Sequence, residues 1–282
     1  MTARSVPAAA LDGETRARLL AAPPAAGRVH SVFARAANLL WHDGRLVALH
    51  GPGMLRAPFA VALAAWPPGG DLRPGAPVER HGARLLLAGV ALDLGAARAV
   101  DLRLGAAPHP PGALLRALRG VAPPPAAPGL SSSAARAAQE ALRDGIRFRE
   151  PEALRRGARG LVGLGEGLTP AGDDCLVGAL AALQAFAPPL ARELAAALPE
   201  VAGGTTLVAR EFLLSAAEGR FAEALVGLCS GPLAEAPGMA VRLFAAGATS
   251  GADTFRGIRL ALEGLAAPAA PAAAARGPGL RA

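Results

Sequence analysis

A segment that no regular structure can cross divides this chain in two. Val121-Ala122-Pro123-Pro124-Pro125-Ala126-Ala127-Pro128-Gly129 combines ring-locked φ angles with missing backbone donors, so neither a helix nor a sheet ladder continues through it. The hydrophobic period changes across it. From about 29 to 104, short apolar stretches at 29–33, 46–49, 59–63, 84–88 and 99–102 are separated by turn residues such as His42-Asp43-Gly44-Arg45, Gly51-Pro52-Gly53 and Pro67-Pro68-Gly69-Gly70. That is the pattern of strands joined tightly. It predicts antiparallel pairing in a small barrel or sandwich. Beyond the proline run, Ser131-Ser132-Ser133 supplies capping oxygens for a helix. Apolar residues then recur at three and four, predicting helices over about 174–187, 189–198, 205–218, 221–228, 237–246 and 252–265. The expected fold class is α+β, with a β-rich N-terminal domain over 1–125, a helical domain over 126–266 and a flexible, proline-punctuated tail over 267–282.

Composition then removes several classes of function. The 282 residues are 52% hydrophobic, enough for sizeable cores without staples, and Cys175 and Cys229 are the only cysteines. Two cysteines give neither a disulfide framework nor a structural zinc pattern. Gly, Pro or charge breaks every apolar run before the roughly 20 residues that a membrane helix needs. The first residues lack an apolar signal core, and Asp12, Glu14, Arg16 and Arg18 follow at once. A reducing cytoplasm and no membrane partner are expected. The net charge of +7 would ordinarily point to nucleic acid, but all 29 basic residues are arginines spread along the chain and aromatics make up only 4%. Neither a clustered charge footprint nor a stacking platform follows, so no nucleic-acid partner is expected.

The residues able to carry chemistry gather in the helical half. Gly163, Gly165, Gly167 and Gly172 stand beside Thr169 and the acid pair Asp173-Asp174 at the start of a helix. Glycines let backbone approach a ligand, and a helix N-terminus offers N–H groups and a positive dipole end, which suits a phosphate or carboxylate. The acids allow three readings: caps, ligands of a hard cation such as Mg2+, or a general base. The spacing fits neither a P-loop nor the dinucleotide fingerprint. Ser250-Gly251-Ala252-Asp253 with Gly257 repeats the G-x-D-x-x-x-G spacing of Gly172, Asp174 and Gly178, so two similar helix mouths are expected to converge. A third helix start, Gly203-Gly204-Thr205-Thr206, adds hydroxyls, with Arg210 and its neighbour Glu211 in the next turn. The candidate catalytic or metal-binding residues are Asp173, Asp174 and Asp253. The candidate ligand-binding residues are Gly165, Gly167, Thr169, Gly172, Thr205, Thr206, Arg210, Ser250 and Gly251. All five histidines lie in the first half without metal-ligand spacing, and Cys175, next to the acid pair, reads as a buried structural thiol.

On these residues the chain resembles the AllH-like family, named for a subunit associated with oxamate carbamoyltransferase in bacterial allantoin breakdown. Val29-His30-Ser31-Val32-Phe33, Asn38-Leu39-Leu40, Gly44-Arg45-Leu46-Val47, the Gly-Leu-Thr-Pro-x-Gly-Asp-Asp stretch ending at Asp174, and Ser250 to Asp253 with Gly257 carry the resemblance. It implies carbamoyl transfer between oxamate and phosphate, giving or consuming oxalurate and carbamoyl phosphate, in concert with other subunits. These small anionic metabolites suit glycine-lined helix mouths. Two rival readings stay open: a non-catalytic subunit that binds a small carboxylate or phosphate, and a scaffold whose Gly and Asp residues are only turns and caps.

Overall fold

The computed structural model describes residues 4–67, 72–125 and 128–267; the segment expected to form a tail lies almost wholly outside them. The first hundred residues form β1 (Arg4–Asp12), α1 (Gly13–Ala21), β2 (Ala25–Val32), β3 (Ala36–Trp41), β4 (Leu46–His50), β5 (Ala60–Leu63), β6 (Pro77–His81), β7 (Arg84–Leu87), β8 (Val90–Asp93) and β9 (Arg98–Val100). Their order is β5-β4-β3-β2-β6-β7-β8-β1-β9, and β1 also pairs with β5. Eight strands thus close into a barrel, with β9 appended to β1. Closure removes the free edges that an open sheet would leave.

The barrel is not wholly antiparallel, as the turn spacing had suggested. β1 runs parallel to β8 and β9, and β4 parallel to β5. The connection over 51–59 is long enough to carry the chain back before β5, which a tight hairpin cannot do. Between β3 and β4 the turn is tight: Gly44 takes φ +79° and the Asp43 carboxylate accepts from the Arg45 N–H at 3.0 Å. Leu39, Leu49, Val61, Leu85 and Leu92 fill the interior, joined by Leu19 of α1.

The helical half contains α2 (Pro111–Ala117), α3 (Ser133–Phe148), α4 (Pro151–Leu161), α5 (Ala171–Phe186), α6 (Pro188–Val201), α7 (Leu207–Ala217), α8 (Glu223–Ser230), α9 (Ala236–Phe244) and α10 (Ser250–Ala266). Ser132 caps α3 by accepting from the Ala135 N–H. Leu104, Leu114 and Leu118, which precede the proline run, pack into the helical core. The packing therefore changes hands earlier than the proline run. Every residue from Ala171 to Leu183 is buried, as expected of a helix that is apolar nearly all round. α5 packs most extensively on α10. No helix among the described residues is long and apolar enough to cross a membrane.

Charged groups clasp the two halves together. Glu211 of α7 is 2% exposed. It accepts from Arg45 Nε at 2.9 Å and from the Leu46 N–H at 3.1 Å, with Arg18 a further 3.8 Å neighbour. Glu211 is adjacent to Arg210 in sequence, but helical neighbours one apart point in different directions, and Glu211 turns to the barrel. Arg220 reaches Asp12 at 3.0 Å, and Phe59 meets Phe212 edge-on with centroids 4.7 Å apart.

Candidate functional site

The glycine-rich turn between α4 and α5 is shaped mainly by backbone crowding. Gly163 has φ +72° and Gly165 φ +120°, a region that side-chain-bearing residues rarely enter. A Cβ on Gly163 would also strike the Gly204 carbonyl, and one on Gly165 would meet the Ala171 nitrogen. Gly167 shares the positive φ but has open space around it, so it is the one glycine of this turn exposed toward solvent without a packing role.

Gly172 and Gly251, expected to line a ligand, are instead packed against the Leu161 and Leu243 carbonyls. Their N–H groups are also occupied, donating to Leu164 O at 2.8 Å and Ala246 O at 3.1 Å. Capping by the chain's own carbonyls thus takes donors that a free helix mouth would offer to an anion. What remains at the junction are the dipole ends, hydroxyls and carboxyls.

The two similar motifs do converge, and they do so reciprocally. The missing side chain of Gly178 lets α5 sit on the Thr254 carbonyl, and that of Gly257 lets α10 sit on the Cys175 carbonyl. Each carbonyl belongs to the residue directly after the motif Asp. The N-terminal ends are also tied, because the Thr169 and Ser250 hydroxyls share a 2.6 Å hydrogen bond.

The three acids have different fates. Asp173 is held by the Gly163 N–H at 3.0 Å and the Thr205 hydroxyl at 2.6 Å. Burial raises its pKa and these two bonds oppose the rise. Asp174 is 7% exposed and has its Oδ2 buried without a hydrogen-bond partner. Burial holds its pKa well above the usual carboxylate range. The Ser250 and Thr169 hydroxyls oppose the shift, while the charges of Asp253 and Asp173 add to it. Asp253, fully buried, is met by Arg256 Nη1 at 2.9 Å. Among the described residues, no group of three or more His, Cys, Asp or Glu side chains is arranged to hold a metal ion.

Thr206 caps α7, accepting from the Ala209 N–H at 3.1 Å, and donates to the Leu168 carbonyl. With Thr205 it ties α7 to the glycine-rich turn. Because Glu211, on the same helix, is clasped by the barrel, the barrel is mechanically connected to the site. Neither the proline run nor the helical periodicity signalled this link; the mate of Glu211 lies 166 residues away. Arg210 makes no side-chain hydrogen bond or ion pair among the described residues.

Cys175 sits behind the acids, fully buried. Burial first, then the charges of Asp253 and Asp174, push its thiol up to about 12. Cys229 is raised to about 12 by burial alone. Native protein at pH 8 is expected to show no fast-reacting thiol toward a disulfide reagent, with both released on denaturation; rapid modification of either would contradict this burial.

The fold and its paired motifs define a β-barrel fused to a helical domain built on a reciprocal helix crossing. Compared with known families, residues 7–99 match the AllH family N-terminal domain and residues 161–262 match oxamate carbamoyltransferase subunit AllH. Together these cover most of the chain, and the protein belongs to the AllH family. Neither a curated protein nor a solved structure matches it.

Proposed function

We propose that this chain works as a subunit of an oxamate carbamoyltransferase-like activity and holds a small anion where α5 and α10 begin. Carbamoyl phosphate, phosphate, oxamate and oxalurate are the candidates. The observation that carries this reading is the Thr169–Ser250 hydroxyl bond, which brings two helix N-termini together beside Asp174. Two dipole ends favour negative charge at one point, and the two hydroxyls can turn toward a ligand oxygen. The occupied N–H groups of Gly172 and Gly251 shift the work from backbone to hydroxyls. Asp173 holds Gly163 and Thr205 in place and Asp253 is tied to Arg256, whereas Asp174 has neither a backbone N–H nor an arginine and stands beside the two hydroxyls.

Calorimetric titration of the purified protein with each candidate tests this. Saturable binding of at least one is expected. The Thr169→Val/Ser250→Ala double variant, folded by circular dichroism, is expected to bind about thirtyfold more weakly, since each hydroxyl contributes about 1 kcal/mol. Unchanged affinity in the folded variant removes the site. Absence of binding by the wild type supports the scaffold reading instead.

A further inference from the structure

The two halves of the helix crossing share their glycine and aspartate spacing, and among the side chains in which they differ one bears directly on the paired acids. In the α10 half, the residue before the last motif glycine is Arg256, whose guanidinium meets Asp253 three residues earlier. In the α5 half, the same position is Val177, which is buried and apolar. Asp174, the counterpart of Asp253, therefore has no intrahelical cation, and its Oδ2 is buried without a partner. A buried carboxyl oxygen with no donor carries the full desolvation cost. The α10 half shows what such a position accepts: a planar nitrogen group presenting N–H.

We infer that Asp174 Oδ2 accepts an N–H of a primary amide on the bound ligand, making Asp174 the residue that selects carbamoyl-bearing anions over simple dianions. This rests on the anion-site reading and sharpens it: the hydroxyls and dipole ends take the carboxylate or phosphate end, and Asp174 takes the amide end. Of the four candidates, oxamate, oxalurate and carbamoyl phosphate carry such an amide; inorganic phosphate does not. A site built to hydrogen-bond an N–H discriminates against an analogue that lacks it, because the acceptor is then left unpaired. Oxalate puts an oxygen without an N–H in that place and leaves Asp174 Oδ2 unpaired.

The test is calorimetry on the full chain with oxamate, oxalate and N,N-dimethyloxamate, repeated on Asp174→Asn. Wild type is expected to prefer oxamate over either analogue by at least about tenfold, and the folded Asn variant, which can also offer an N–H, to bring oxamate and oxalate within about threefold. Equal wild-type binding of all three, or an undiminished preference in Asp174→Asn, overturns the assignment while leaving the anion site standing. No binding of oxamate, oxalate or phosphate overturns both. The dimethyl analogue uses unmodified protein, so the assignment stays testable if the variant does not fold.

Discussion

Gly257→Ala is expected to destabilise the protein by more than about 3 kcal/mol, at the upper end of overpacking costs, because the new methyl group would fall on a backbone oxygen rather than on a side chain that can turn away. The Cβ would overlap the Cys175 carbonyl and crowd the Ala179 nitrogen. Only separation of α5 from α10 relieves the overlap. That separation opens the largest helix contact in the domain and pulls Ser250 from Thr169, so ligand binding is lost along with stability. Thermal unfolding followed by circular dichroism checks this, with a fall in Tm of roughly 10 °C expected for a chain of this size. Gly178→Ala, which meets the Thr254 carbonyl in the reciprocal way, is expected to behave alike. Gly238→Ala on α9 is the contrast, since open space surrounds it; there the better helix propensity of Ala gives a small gain, up to about 1 kcal/mol. A Gly257→Ala variant as stable as wild type would mean that the crossing is looser than described.

Glu211→Ala should have the second-largest effect, about 2–3 kcal/mol, through the loss of charge-assisted bonds to Arg45 and the Leu46 N–H. The cost stays below that of a fully buried pair because Arg45 and Arg18 are 24% and 23% exposed and can turn into water. The Leu46 N–H cannot turn away and is left without its acceptor. The effect reaches further than stability: α7 carries Thr206, and Thr205 directly precedes it, so loosening the clasp loosens the glycine-rich turn. The expected outcome is a Tm lowered by roughly 5–10 °C, together with weaker ligand binding, although Glu211 is not among the residues proposed to meet the ligand. Glu211→Gln, which keeps the shape and one acceptor, should lose less on both measures. Unchanged binding in Glu211→Ala would show that the barrel does not help to position the turn.

Much of this was legible from local pattern. The α+β division followed from the switch in hydrophobic period, and α5 and α10 followed from apolar spacing and the paired motifs. The repeated G-x-D-x-x-x-G spacing also foretold that the two helices meet. It did not tell that Gly172 and Gly251 serve packing, because a glycine beside a ligand and a glycine beside a carbonyl look identical in one dimension. β1 was missed because its early charges and Pro7 hid a strand, and β8 because four residues after Gly89 are too few to show alternation. The fate of Glu211 was out of reach for a different reason: its partner lies on another domain, and periodicity carries no information about such pairs. The imbalance between Arg256 and Val177 was readable from the start, but it gained meaning only once the two helices were seen to cross reciprocally.

The position of β1 also constrains how the protein can be made. β1 pairs with β5, β8 and β9, all of which follow it in the chain, so it waits for up to about a hundred residues of later chain before its edges are satisfied. Even then Asp12, at its end, waits for Arg220 from the helical half. An N-terminal fragment ending near residue 105 would thus leave Asp12 without its arginine and expose the barrel face that Phe212 covers, which makes it a candidate for chaperone retention until the second domain arrives.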